Sequence, residues 1–119
     1  MQICQSLIGG KPVTSPLASI DKIYPATGEV IAKIEPASKD MLDEAVAIAT
    51  DAQRLWTAVE PITRARILHR AAALMREANA ELARLEVMDV GKLYSEAESA
   101  DVPSGTDAFD FFAAAITTQ

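Results

Sequence analysis

Residues that break regular structure are concentrated in the first 37 positions, and this limits the fold more than any other feature. The glycines and prolines of this region are Gly9, Gly10, Pro12, Pro16, Pro25, Gly28 and Pro36. Such composition is typical of turns and short strands. From Ser38 onward breakers are sparse, and apolar residues recur at spacings of three and four. The sequence therefore predicts strands and turns over residues 1–37 and amphipathic helices over residues 38–119.

Two short extended segments are predicted between Ile20 and Ile34. They flank the tetrapeptide Pro25-Ala26-Thr27-Gly28, which has proline early and glycine late, as β-turns prefer. A two-stranded hairpin by itself is marginal in water, so we expect this one to pack on a further surface.

Four amphipathic helices are predicted after residue 37. Ser38 is the expected N-cap of the first, Pro61 separates the first from the second, Gly91 ends a third over Ala80–Val90, and the fourth follows Pro103 and Gly105. The apolar stripes expected on these helices are Leu42, Ala45, Val46, Ala49, Ala52 and Trp56; Ile67, Leu68, Ala71, Leu74, Met75 and Ala78; Leu82, Leu85 and Met88; and Phe109, Phe112, Ala113 and Ile116.

Composition excludes several classes of protein. A chain of 119 residues has room for one modest core. A net charge of −6 disfavours a nucleic-acid partner, because the negatively charged phosphates bind positively charged surfaces. Cys4 is the single cysteine, so an internal disulfide and a multi-cysteine zinc site are excluded. No apolar run approaches the roughly 20 residues of a membrane helix, so we expect no membrane partner. No basic residue precedes the apolar residues at the start of the chain, as a secretory signal peptide would require, so we expect a cytoplasmic location.

Residues capable of chemistry are present, but for each of them a structural role is favoured over catalysis or ligand binding. Cys4 and His69 lack an evident partner, and a spectator thiol and a surface histidine are expected. Asp40, Asp43 and Glu44 suit the positive end of a helix dipole better than an acid/base pair. Gly9-Gly10-Lys11 lacks the remaining P-loop residues, and Gly91-Lys92 indicates a helix end. The residues alone predict an α-rich domain without a catalytic constellation.

Several motifs resemble the opening of an NAD(P)-dependent aldehyde dehydrogenase. The most specific is the turn Pro25-Ala26-Thr27-Gly28-Glu29 inside a longer matching segment, Ile23 to Ala32. Further similarity is carried, in the family's order, by Leu7-Ile8-Gly9-Gly10-Lys11, Trp56, Pro61, Arg64, Arg66-Ile67-Leu68, Glu81-Leu82-Ala83, Leu85-Glu86 and Asp89-Val90-Gly91-Lys92. Tyr94-Ser95-Glu96, Asp101, Gly105, Asp107 and Phe112-Ala113 are similar to the betaine aldehyde dehydrogenase branch.

The resemblance implies an α/β family with a Rossmann-like cofactor domain, of which residues 1–119 would be an incomplete N-terminal part. The family oxidises aldehydes, plausibly betaine aldehyde to glycine betaine in this branch. The family's nucleophilic Cys, general-base Glu and NAD-binding residues have no counterpart in this chain. Cys4 cannot be given the role of the nucleophile, because it precedes the first family motif. We therefore expect no catalysis and no NAD(P) binding by this chain alone, and the remainder of a dehydrogenase or a second copy as its partner.

The resemblance also implies a potassium site. In this branch, oxygens from the residues before the turn and from the Asp of the Asp-x-Gly-Lys motif are expected to bind the ion, and these correspond to Lys22, Ile23 and Asp89. Backbone carbonyls serve hard cations as well as side chains do, so Lys22 is compatible with the role. Tyr24 stands where the family usually has Asn. The alternative for Asp89 is a helix-end carboxylate bonded to nearby backbone.

A rival hypothesis comes from a different class of protein. The amphipathic helices would equally suit an interaction module that stands alone, or an inhibitory partner inserted into a full-length dehydrogenase.

Overall fold

The computed structural model describes residues 2–118. Its strands are β1 (Gln2–Cys4), β2 (Ser6–Ile8), β3 (Lys11–Val13), β4 (Ile20–Ile23) and β5 (Val30–Ile34). Its helices are α1 (Lys39–Ala58), α2 (Pro61–Glu77), α3 (Asn79–Val90), a single turn α4 (Tyr94–Glu96) and α5 (Val102–Ile116), with a π-helical turn at Ala97–Asp101 between the last two. A mostly helical segment with a short N-terminal hairpin was expected and is confirmed.

The chain divides into two compact parts, Met1–Thr57 and Ala58–Gln119. No helix among residues 2–118 combines the length and the apolar character needed to cross a bilayer.

The predicted hairpin is present in the first part. Strands β4 and β5 pair antiparallel, and the Gly28 amide donates to the Tyr24 carbonyl across the turn at 2.8 Å. Asp21 lies opposite Lys33 in the register, and the two side chains form an ion pair of 2.7 Å. The surface that the hairpin needed is partly supplied by β1, which joins β5 in parallel and gives the strand order β1-β5-β4. A three-residue strand such as β1 carries too few residues to show a period.

A second hairpin, β2–β3, explains the paired glycines near the start of the chain. Gly9 and Gly10 form its two-residue loop, with φ of 58° and 79°. Both values lie in the left-handed region that this tightest hairpin loop requires and that glycine adopts without strain. The glycine pair therefore has a structural cause and needs no ligand.

Helix α1 begins where the sequence predicts but buries a different face. The Met41 amide donates to the Ser38 hydroxyl at 3.2 Å, which confirms the N-cap. The expectation of a buried stripe is wrong, because Leu42, Val46, Ala49 and Ala52 are exposed and Met41 is the buried residue of this helix. Ile48, seven residues beyond Met41 and on the same side of the helix, approaches Gly9 of the second hairpin. That contact turns the helix by about 100° from the predicted stripe.

In the second part, α2 and α5 pack against each other through small residues. Ala65 and Ala72 on α2 and Ala113 on α5 are buried. Where Gly105 passes α2, a Cβ in place of its hydrogen would lie 3.5 Å from the Met75 methyl group. The predicted stripes are right only in part. Ala113 is buried and Leu68, Met75, Leu82 and Ile116 are half-buried, but Ile67, Leu74, Leu85, Met88, Phe109 and Phe112 are exposed. Small residues let two helices approach closely, and the wider side chains then point away from the contact.

The π-helical turn before α5 has its cause in Pro103. The Val102 amide donates five residues back, to the Ala97 carbonyl. The next residue is Pro103, which has no N–H to donate to either the Ser99 or the Glu98 carbonyl. The Glu98 carbonyl instead accepts a hydrogen bond from the Asn79 side-chain amide at 3.1 Å. Asn79 thus replaces the donor that proline lacks.

Helix α5 also starts earlier than its proline and glycine predict. We expected it to follow Pro103 and Gly105, but it begins at Val102. Proline is tolerated here because the Asn79 side chain supplies the hydrogen bond to the Glu98 carbonyl that its missing N–H cannot make. Val102 is buried with Ala83 and Ala97, and this cluster fastens the π-helical turn to α3.

The substitution Asn79→Ala should lower the free energy of unfolding by about 1–2 kcal/mol, because it leaves the part-buried Glu98 carbonyl without its donor. Urea denaturation of the variant and the parent chain measures the difference. The matched background is Pro103→Ala, which restores a backbone donor to this turn. Equal costs of Asn79→Ala in both backgrounds would contradict the role given to Pro103.

Candidate functional site

Lys22 and Ile23 end strand β4, at an irregularity in its pairing with β5. Lys22 lies opposite Ala32 and Ile23 opposite Val30, so one step along β4 corresponds to two along β5. Such a β-bulge interrupts the ladder of hydrogen bonds, and bulges are frequent beside functional sites. The next residue, Tyr24, has its amide bonded to the Glu29 carbonyl at 2.9 Å. The extra residue is Ile31 on β5, so the ladder is interrupted opposite these two predicted residues.

Asp89 is the last residue but one of α3. Gly91 follows the helix with φ of 77°, and its amide donates to the Val87 carbonyl at 2.8 Å. This is the left-handed C-terminal geometry expected for that glycine. The Asp89 side chain is exposed at the helix end.

Asp89 lies on the rim of an acidic cleft in the second part, a volume of about 480 Å³. Its apolar lining comes from Met75, Leu82, Leu85 and Val102, with Gly105 beside them, and its carboxylates are Glu86, Asp89 and Asp101. Lys92 forms an ion pair with Asp101, and the hydrogen bond between them raises the pKa of Lys92. Lys92 therefore stays cationic and faces Glu86 and Glu96 as well.

The three predicted potassium ligands fall in different parts of the chain. Lys22 and Ile23 belong to the first part and Asp89 to the second. Among residues 2–118, no group of three or more His, Cys, Asp or Glu side chains is arranged to hold a metal ion. The potassium site, which would rely on backbone carbonyls, stays a prediction.

The other candidates have structural surroundings. Cys4 is an exposed thiol on β1. Lys39 pairs with Asp43 one turn along α1 at 2.6 Å, which stabilises the start of that helix. Asp40 occupies the first turn of α1, where the helix dipole favours a carboxylate.

His69 forms part of a charged cluster that joins α2 to α5. Its Nδ1 atom lies 2.7 Å from one oxygen of Asp110, and the Arg76 guanidinium donates to the other oxygen at 2.5 Å. Asp107 lies 3.4 Å from the same guanidinium. The Arg76 hydrogen bond, followed by that from His69, lowers the pKa of the Asp110 carboxyl. The cluster holds two helices together, and the described residues place no nucleophile in it.

Sequence reasoning missed the pairs that shape this region. His69 and Asp110 are 41 positions apart, and Lys92 and Asp101 come from two different helical segments. Periodicity reports only neighbours within a turn or two of the same helix. Composition does not show which distant residues pair either, so the sequence could not have identified these two pairs.

Comparison with known proteins identifies the family to which this chain belongs. Residues 13–119 match the aldehyde dehydrogenase family. The chain belongs to that family. The resemblance drawn from the turn Pro25-Ala26-Thr27-Gly28-Glu29 and the motifs after it is confirmed.

Several proteins of known structure share the backbone closely. An aldehyde dehydrogenase from Bacillus cereus superposes with a TM-score of 0.93 and 28% identity over 98% of this chain and 24% of its own. PnpE from Pseudomonas sp. WBC-3 gives a TM-score of 0.90 and 32% identity over 96% of this chain and 23% of its own. A further PnpE structure is a complex with nicotinamide adenine dinucleotide. The expected α/β family is thereby confirmed.

Among curated aldehyde dehydrogenases, betaine aldehyde dehydrogenases are prominent relatives. That of Rhizobium etli (strain CIAT 652) is 50% identical over 93 residues, which is 78% of this chain and 19% of the relative. The chain therefore spans about a fifth of the length of the curated relatives it matches.

The substitution Asp110→Asn should lower the melting temperature at neutral pH, because it weakens the bonds to Arg76 and His69. The pKa of Asp110 is lower in the folded chain than its ordinary value of about 3.9. Its stabilising contribution is therefore present above that ordinary value and is lost as the pH falls through the folded-state pKa.

Melting curves of the parent and Asp110→Asn chains between neutral and strongly acidic pH measure this. The difference in melting temperature between the parent and Asp110→Asn chains should decrease as the pH falls. The exposed control Asp51→Asn should differ little from the parent at any pH. A melting-temperature difference that is the same at acidic and neutral pH would contradict the stabilising role given to ionised Asp110.

Proposed function

We propose that this chain is the N-terminal part of the cofactor domain of an NAD(P)-dependent aldehyde dehydrogenase that oxidises betaine aldehyde to glycine betaine. The observation that carries the proposal is the 50% identity with betaine aldehyde dehydrogenases over 93 residues. Identity at half of the aligned positions supports the betaine branch over the family in general.

The exposed apolar surface supports a larger enzyme as the setting. Leu42 and Val46 on α1, and Phe111 and Phe112 on α5, are exposed, and the two aromatic rings meet edge to face at 5.3 Å. Burial of such a side chain contributes about 1.5–3 kcal/mol. The rival hypothesis of an interaction module or an inhibitory partner has no observation in its favour.

The residues present do not fit an NAD(P) site. A dinucleotide pyrophosphate is held by glycines that open a helix. Here Gly9, Gly10 and Gly28 lie in hairpin turns, Gly91 closes α3, and Gly105 lies within α5. In the proposed enzyme, the cofactor would supply the hydride acceptor and would be held by residues other than those described here. This chain contributes framework, and we derive no catalytic step for it.

A potassium ion is the ligand that this chain would help to hold. The bulge at Lys22 and Ile23 interrupts the regular backbone pairing, and Asp89 has its carboxylate exposed at the end of α3. Carbonyl and carboxylate oxygens are the donors that hard cations prefer. These features support the set Lys22, Ile23 and Asp89.

A chimaera tests the proposed function. The 93 aligned residues of the Rhizobium etli betaine aldehyde dehydrogenase are replaced by those of this chain. We expect NAD-dependent oxidation of betaine aldehyde with kcat/KM within about tenfold of the parent, since a loss beyond 1.4 kcal/mol of transition-state stabilisation would indicate a misplaced framework.

The matched control carries the corresponding segment of the Bacillus cereus enzyme and should lose more activity. The 119-residue chain alone should form no NADH from aldehyde. An inactive but folded chimaera, with an active control, would overturn the betaine assignment.

The potassium proposal predicts a cation-specific gain in stability. The melting temperature of the full chain should be higher in KCl than in tetramethylammonium chloride of equal ionic strength, because the larger organic cation does not fit between oxygen ligands. Asp89→Asn should reduce that difference, whereas Asp51→Asn should leave it unchanged. Equal melting temperatures of the parent chain in the two salts would count against the site.

A further inference from the structure

One face of α2 is unpartnered within its own part of the chain. Ala65 and Ala72 turn toward α5, and the opposite side of the helix forms a surface of about 440 Å³ that we name the arginine face. Its residues are Thr63, Arg66, Ile67, Arg70, Ala71 and Leu74. Ile67, Ala71 and Leu74 follow each other at spacings of four and three, which places them in one row along the helix.

The arginine face combines apolar surface with positive charge. Ile67 is 49% exposed and Leu74 47% exposed. Arg66 and Arg70 flank them, and Arg70 forms an ion pair of 3.5 Å with Glu77. An apolar row with cations along its edge favours an occupant that is apolar at its centre and acidic at its edge.

The acidic cleft described above has that complementary composition. Leu85, which is 51% exposed, and Met75 contribute to its apolar lining, while Glu86 and Asp101 stand at its rim. Lys92 neutralises Asp101 only in part, because it is shared with Glu86 and Glu96. Residues of α2, α3, the π-helical turn and α5 line the acidic cleft, whereas the arginine face lies along α2 alone.

We propose that the arginine face of one copy of this chain seats in the acidic cleft of a second copy. Ile67 and Leu74 would cover the apolar lining, and Arg66 and Arg70 would reach the carboxylates of the rim. Both surfaces lie in the part formed by residues 58–119, so the contact needs no other partner. Because the two surfaces differ, the contact is heterologous and can continue from copy to copy.

Sedimentation equilibrium of the full chain at increasing concentration and two salt concentrations tests the proposal. The parent chain should associate reversibly, and more weakly at high salt, since rim charges are screened. The double substitution Arg66→Glu/Arg70→Glu should weaken association by at least about tenfold, because it places like charges against the cleft. Glu86→Lys should weaken it from the other side.

The decisive sample mixes the two variants, neither of which should associate alone. A copy with glutamates on the arginine face should bind a copy with lysine in the cleft, which recovers a heterodimer. The matched control, Lys39→Glu/Arg54→Glu on α1, makes the same change in net charge and should associate as the parent does. Circular dichroism shows that each variant is folded.

Three outcomes would overturn the proposal. The parent chain could remain monomeric at every concentration, the α1 control could weaken association as much as the arginine variant, or the mixture could fail to recover it. Irreversible aggregation that no charge reversal alters would also count against it, because it would indicate contact through apolar surface without the charge pairing proposed.

Discussion

The close contact between α2 and α5 determines how the rest of the second part presents its side chains. Ala65, Ala72 and Ala113 are buried at or near full coverage, and Gly105 lets the Met75 methyl group approach. An interface made of such small residues keeps the helix axes near, so wide side chains cannot enter it. They are turned toward the opposite faces of their helices. The charged cluster of His69, Arg76 and Asp110 then closes the same contact at its solvent edge.

This constraint separates what the sequence could predict from what it could not. The Ser38 cap, the Pro61 start of α2, the Gly91 end of α3 and the hairpin turn after Tyr24 depend on local chemistry, and all are confirmed. The buried faces were predicted correctly only in part, because many of the large apolar residues are exposed. Periodicity identifies which residues share a side of a helix, but it ranks sides by hydropathy, and here alanines occupy the buried side. Only the partner helix decides which side is covered.

The same reasoning applies to the candidate sites. The bulge at Lys22 and Ile23 arises from the offset between β4 and β5, which two unaligned stretches of sequence do not reveal. The pairing of Lys92 with Asp101 depends on the π-helical turn, and that turn depends on a proline whose missing donor is replaced by Asn79, 24 positions earlier in the chain. Family resemblance located the residues, and tertiary contacts determined their surroundings.

Membership of the aldehyde dehydrogenase family and the exposed apolar faces have one physical explanation in common. The chain spans about a fifth of the length of its curated relatives, and its backbone matches solved structures such as PnpE with a TM-score of 0.90. That backbone places apolar side chains on several sides of α1, α2 and α5, each worth about 1.5–3 kcal/mol on burial. Local caps, hairpin turns and alanine contacts are sufficient to specify the elements, but they cover little of this surface. Whatever lies against these faces gains that free energy, whether it is further protein of the same enzyme or another copy of the chain.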